Sequence, residues 1–171
     1  LLFVVDPLDT FKIYKDTTFA MMREAQRRGH VIWLTTPQDL HWQSGQTVKA
    51  RALQLNLLDV AADERTQEWA EVQSTDTRSL KDFGVVLMRA DPPFDSEYFY
   101  ATHLLTQAER EGARVYNRPS ALREHPEKLA ILEFPQFLSP TLVTREAEHI
   151  RDFHAQHGDI ILKPLDGMGG M

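Results

Sequence analysis

Apolar and polar residues are arranged along this chain in blocks whose period changes. Leu1-Leu2-Phe3-Val4-Val5 opens it with an unbroken β-favouring run, the pattern of a strand buried on both faces in a parallel sheet. Asp6-Pro7 breaks the run. From Asp16 or Thr17, either of which can act as N-cap, the period becomes helical. Phe19, Met22 and Ala25 share one face, Met21, Arg23, Glu24, Arg27 and Arg28 surround the rest, and Gly29 supplies the stop. Residues 31–34 read as a second strand, so the chain opens as a βαβ unit.

Residues 39–43 and 47–53, joined through Ser44-Gly45, read as a hairpin. Residues 56–81 are polar and poorly periodic; 69–72 are expected to add an edge strand, and Asp63, Glu64, Glu68 and Glu71 read as solvated carboxylates. Val85-Val86-Leu87-Met88 is the clearest later strand. Ser96 is expected to cap a helix through Glu111, with Phe99, Leu104 and Ala108 towards the core, Gly112 as terminator, and Tyr98 and Tyr100 as packing residues. Residues 113–116 form another strand, and Asn117-Arg118-Pro119-Ser120 turns into a short helix.

The expected fold class is α/β: an open, mainly parallel sheet flanked by helices over residues 1–121, then the start of a second domain over 122–171. In that second segment residues 127–134 read as an amphipathic helix carrying Lys128. Leu142-Val143-Thr144 reads as a strand whose Thr144 caps a helix over 145–157, closed by Gly158. Ile160-Ile161-Leu162 reads as a strand that delivers Lys163.

Composition narrows the function classes. With 171 residues, 42% hydrophobic and 26% charged, the chain can bury a core. A formal charge of −6 and the lack of any basic run argue against a nucleic-acid partner. The absence of cysteine excludes disulfides and thiolate metal sites and suits a reducing cytoplasm, where the protein is expected. No apolar run approaches the roughly 18 residues of a membrane span, so no membrane partner is expected. His154 and His157 lie three apart on a helix but have no third ligand spaced beside them, and no metal is assigned there.

The candidate chemistry lies at strand ends. After Ile160-Ile161-Leu162 come Lys163-Pro164, then Leu165-Asp166-Gly167-Met168-Gly169-Gly170. Glycine lets backbone N–H groups approach an anion closely, and a preceding lysine adds a mobile charge to the same oxygens. An ordinary surface turn with a solvated lysine is the alternative. A P-loop would need the lysine directly after the glycines, and a dinucleotide fingerprint would need glycines after the first strand; neither fits. The loop over residues 6–18 lies where open parallel sheets bind ligands, so Lys15 and Thr17 are candidates to contact an anion at a helix N-terminus, with a solvated lysine and a simple cap as the alternative. Arg89, at the end of the 85–88 strand and ahead of Asp91-Pro92-Pro93, can clamp a carboxylate through its planar fork; a salt bridge to Asp91 or Asp95 is the other reading.

Several long stretches together resemble one family. Ile161-Leu162-Lys163-Pro164-Leu165-Asp166-Gly167-Met168-Gly169-Gly170 is similar to bacterial glutathione synthetase, an ATP-grasp ligase. So are Asp6-Pro7, Lys15-Asp16-Thr17-Thr18-Phe19-Ala20-Met21, Glu24-Ala25-Gln26-Arg27-Arg28-Gly29 and Leu87-Met88-Arg89-Ala90-Asp91-Pro92-Pro93-Phe94-Asp95. The resemblance runs almost end to end and is to the family's N-terminal half. It implies ligation of glycine to γ-glutamylcysteine with ATP, through an acyl phosphate, in a homo-oligomer. It also implies that Lys128, Lys163, Gly167, Gly169 and Gly170 meet ATP, that Lys15 and Thr17 meet the peptide, and that Arg89 serves peptide binding and catalysis. The Mg2+ ligands are expected beyond residue 171, so residues 1–171 alone are expected to lack activity. A different ATP-grasp carboxylate–amine ligase, or a non-catalytic domain binding a small anion, would share these features.

Overall fold

Among the residues that a computed structural model of the chain describes, 1–60 and 68–167, seven strands join into one sheet. β1 (Leu2–Val4) pairs in parallel with β2 (Ile32–Thr35) on one side and β6 (Val86–Met88) on the other, and β7 (Val115–Tyr116) runs parallel beyond β6. Past β2 the direction reverses. β4 (Lys49–Leu57) is antiparallel to β2, to β3 (Leu40–His41) and to β5 (Ala70–Ser79). Because residues of β4 that pair with β2 or β3 also pair with β5, β2 and β3 share one edge of β4 and β5 takes the other.

Alternation along β1 explains how the sheet is covered. Leu2 and Val4 join the cluster that includes Val86, Met88, Ala101, Leu105 and Ala108, whereas Phe3 and Val5 join Phe19, Met22, Leu34 and Trp69. The side chains of successive strand residues point to opposite faces, so α1 (Thr17–Arg27) covers one face and α2 (Ser96–Arg110) the other. Asp16 caps α1, its Oδ1 accepting from the Phe19 N–H at 2.9 Å, and the chain leaves the helix through Gly29 at φ +83°. Side chains then stitch distant segments. The Gln26 amide donates to the Leu57 carbonyl and accepts from the Leu57 N–H, at 2.9 and 2.8 Å, and Glu111 accepts from the buried Val48 N–H at 2.7 Å.

Several expectations change. Asp95, not Ser96, caps α2, its Oδ1 accepting from the Tyr98 N–H at 3.0 Å; the carboxylate one residue earlier takes the bond. Phe99 is exposed and Leu104 only half-buried, because the buried positions are Ala101, Thr102, Leu105 and Ala108. Tyr100 is exposed rather than packed. β2 starts at Ile32, with Val31 half exposed, and the hairpin's second strand extends to Leu57.

The polar stretch hides the longest strand among the described residues. β5 spans ten residues, most of them exposed, so no alternation marks it; its ladder to β4 is made by the backbone. Just ahead of it Trp69 is buried 5.2 Å from Phe11 and 5.4 Å from Phe19, ring centre to ring centre. Glu68 and Glu71 are exposed, and Asp63 and Glu64 lie outside the described residues.

The chain divides into compact units Leu1–Glu124, which ends in α3 (Pro119–Glu124), and His125–Met171. In the second unit the helix expected over 127–134 is instead a turn and a 3-10 segment, Ala130–Glu133, bracketed by Pro126 and Pro135. α4 (Ala147–His157) starts two residues later than expected, because Thr144 accepts from the Glu146 N–H at 3.0 Å ahead of the helix, and it ends at Gly158. Residues 142–144 and 160–162 are not strands: among the described residues no strand pairs with them, and Ile161 and Leu162 are exposed. No helix among the described residues is long and apolar enough to cross a membrane.

Candidate functional site

The parallel strands β1 and β6 end side by side. Val4 pairs with Met88, and the Arg89 N–H still donates to the Val4 carbonyl at 2.8 Å, so Arg89 leaves the sheet beside the loop that follows β1. α1 begins there. The guanidinium is held by two hydroxyls of the helix's first turn, with Nε donating to Thr18 Oγ1 at 3.1 Å and Nη2 to Thr17 Oγ1 at 3.0 Å. Asp6, past the end of β1, accepts from the Asp91 N–H through Oδ2 at 2.9 Å.

Among the described residues no carboxylate lies within salt-bridge distance of Arg89. The alternative pairing does not form: Asp95 caps α2, and Asp91 reaches Asp6 through its backbone. Arg89 therefore sits as an unpaired cation at the positive end of a helix, a position the helix dipole disfavours. Its neutral hydroxyl partners leave that charge for a ligand, and the first-turn N–H groups add to the same field. The arrangement can take a carboxylate or another small anion.

Negative charge stands nearby without touching it. Partial burial pushes the Asp91 carboxyl up from its usual range, the neighbouring Asp6 and Asp16 push it further, and Arg89 pulls the other way. Tyr98, read from sequence as packing, lies tilted against Phe94 with ring centres 5.0 Å apart, in the same field; burial raises its hydroxyl's pKa, opposed by Arg89 and reinforced by Asp6 and Asp91.

Of the residues expected in the N-terminal unit, Thr17 and Arg89 are brought together. Lys15 is exposed, and its side chain has no hydrogen-bond partner among the described residues. Thr18 and Asp6 were not singled out as contacts, and Asp91 only as a salt-bridge partner of Arg89. Two Asp-Pro pairs closing neighbouring strands were the available signal for the aspartates; for Thr18 it was a hydroxyl on a helix's buried face.

In the second unit Lys128 Nζ donates to the Leu165 carbonyl at 3.3 Å and to the Gly167 carbonyl. Lys128 and Gly167 are thus neighbours. Lys163 is exposed and has no hydrogen-bond partner among the described residues; Gly169 and Gly170 lie outside them. Among the described residues no three His, Asp or Glu side chains gather as a metal site.

Residues 1–123 match the family model described as prokaryotic glutathione synthetase, N-terminal domain. The chain belongs to this family. Residues 127–171 match the prokaryotic glutathione synthetase ATP-grasp domain. The glutathione synthetase of Ralstonia nicotianae is 54% identical over 170 residues, covering 99% of this chain and 51% of the relative. That of Nitrosomonas europaea is 51% identical over 99% of this chain and 52% of the relative, and that of Neisseria meningitidis serogroup A is 48% identical over 100% and 53%. The chain spans about half the length of the curated relatives it matches.

Proposed function

We propose that this protein is an ATP-dependent carboxylate–amine ligase that joins glycine to γ-glutamylcysteine. The observation that carries the reading is Arg89, held at the start of α1 by Thr17 and Thr18 and left without a carboxylate partner. A peptide carboxylate suits that place. The glutathione synthetase relatives supply the identity of the peptide, and the ATP-grasp match supplies the nucleotide. ATP, when bound, activates the peptide's reacting carboxylate as an acyl phosphate. Lys128, at the glycine loop, and Lys163 neutralise phosphate charge, and the loop of Gly167, Gly169 and Gly170 excludes water from the activated acid.

In the N-terminal unit Arg89, Thr17 and Lys15 hold the peptide; fixing the acid leaves the amine less orientation to find. Among the described residues no cluster of His, Asp or Glu side chains fits a Mg2+ site. The cysteine-free composition suits a cytoplasmic setting, and a homo-oligomer is part of the same reading.

ADP release by the protein as its gene encodes it, with γ-glutamylcysteine and glycine supplied singly and together, tests the reading. Sustained release only when both are present is the expected result. Release driven by another acid–amine pair would assign a different ligase, and none with any pair would leave an anion-binding domain.

A further inference from the structure

Thr18 is nearly buried, 5% exposed, on the face of α1 that carries Phe19 and Met22 into the core, whereas its neighbour Thr17 is exposed. Threonine is a poor choice for such a helix position if packing alone decides, since valine would fill the same space without a polar atom to satisfy. Its hydroxyl accepts from Arg89 Nε, 71 residues away in sequence. Among the described residues the other three buried polar side chains bond within the framework: Thr35 to the Arg51 carbonyl, Ser79 to Thr47 and the Val48 carbonyl, and Thr102 to the Phe99 carbonyl and Arg123. Thr18 alone among them holds a residue assigned to ligand binding.

A guanidinium has two edges that can grip a carboxylate with paired N–H groups: the side edge, Nε with Nη2, and the end edge, Nη1 with Nη2. Thr18 and Thr17 occupy the side edge. We infer that Thr18 is a positioning residue for the peptide substrate: its buried hydroxyl locks the plane of the Arg89 guanidinium, so that the end edge is presented as a preformed fork to a substrate carboxylate. The two acceptors differ in what they can hold. Thr17, exposed, competes with water for Nη2, but Thr18 is fixed by the packing of α1 and anchors Nε at the root of the group. Without it the guanidinium turns about its last torsions and must be ordered again on each binding event, a loss felt by the peptide and not by ATP. The inference rests on Arg89 being the peptide's contact.

The test is steady-state kinetics on the protein as its gene encodes it, comparing Thr18→Val, which keeps the shape without the hydroxyl, with Thr18→Ser, which keeps the hydroxyl. Thr18→Val is expected to raise the KM for γ-glutamylcysteine roughly tenfold, with the KM for ATP within about twofold of wild type, while Thr18→Ser stays near wild type. Should Thr18→Val fold poorly, Thr18→Ala carries the same comparison. Arg89→Met separates the two levels. If Arg89→Met raises the peptide KM and removal of the Thr18 hydroxyl does not, the positioning role is wrong. If Thr18→Ser is as damaging as Thr18→Val, shape rather than the hydroxyl matters, and the role is again wrong. If Arg89→Met itself leaves the peptide KM unchanged, the assignment of the site fails first. In the double variant Thr18→Val/Arg89→Met the loss must equal that of Arg89→Met alone; additive losses would overturn the inference.

Discussion

Asp6 accepts a hydrogen bond from the main-chain N–H of Asp91 at 2.9 Å, fastening the loop after β1 to the loop after β6 across 85 residues of sequence. This bond keeps the ends of the two central strands in register beyond their ladder, where Arg89 departs. Asp6→Ala should therefore lower stability by about 1 kcal/mol, as a partly exposed charged acceptor is lost, and should raise the peptide KM as well. Asp6→Asn, which retains an acceptor, should lose less. Urea unfolding of both variants beside the kinetics checks this; equal behaviour of the two would mean that the charge matters and the bond does not.

The carboxyl of Asp91 is held above its usual range by burial, Asp6 and Asp16. A raised carboxylate pKa means that the folded state binds more protons than the unfolded state between the unfolded value, 3.8, and the folded one, so stability falls as pH rises through that window and the penalty persists above it. Asp91→Asn should consequently stabilise the fold at pH 7, by less than about 1 kcal/mol because the group is largely exposed, and the gain should shrink as pH falls towards 3.8. Thermal melts of the two proteins at pH 7 and pH 4 give the comparison. A gain equal at both pH values would remove charge as its cause.

Trp69 closes the core between α1 and the sheet, against Phe11 and Phe19. Trp69→Ala should destabilise by about 3–5 kcal/mol, and Trp69→Phe by much less. Chemical denaturation measures both; a loss below about 1 kcal/mol for the alanine variant would mean that the ring contributes little.

How much could be read beforehand follows burial. β1 and β2 were legible because each is buried along its length, and α1 because Phe19, Met22 and Ala25 face one core. β5 was mostly missed, since its side chains meet water on both faces and what holds it is backbone pairing with β4, which leaves no mark on residue type. Residues 160–162 carried the composition of a strand without a partner edge, and composition cannot report a partner. Arg89 and Thr17 were recognisable from their places at a strand end and a helix start. Thr18 was not, because a buried threonine has the same letter whether it satisfies its own backbone or an arginine 71 residues away.

Lys128 and Lys163 should respond differently to removal of charge. Lys128→Met and Lys163→Met are each expected to raise the KM for ATP roughly tenfold, the scale of one charge-assisted phosphate contact. Lys128→Met should in addition free the loop whose Leu165 and Gly167 carbonyls it holds, visible as faster amide exchange there without nucleotide. Exchange unaffected by Lys128→Met would separate that lysine from the loop.

Arg89→Lys bears most directly on the central claim, that an unpaired guanidinium at the start of α1 grips the peptide. Lysine keeps the charge but has neither the fork nor the geometry to reach both threonines. The KM values for γ-glutamylcysteine and for ATP, measured side by side in wild type and Arg89→Lys, should separate, with the peptide value raised about tenfold or more and the ATP value changed by less than about twofold. Equal rises in both, or no rise in either, would contradict the account.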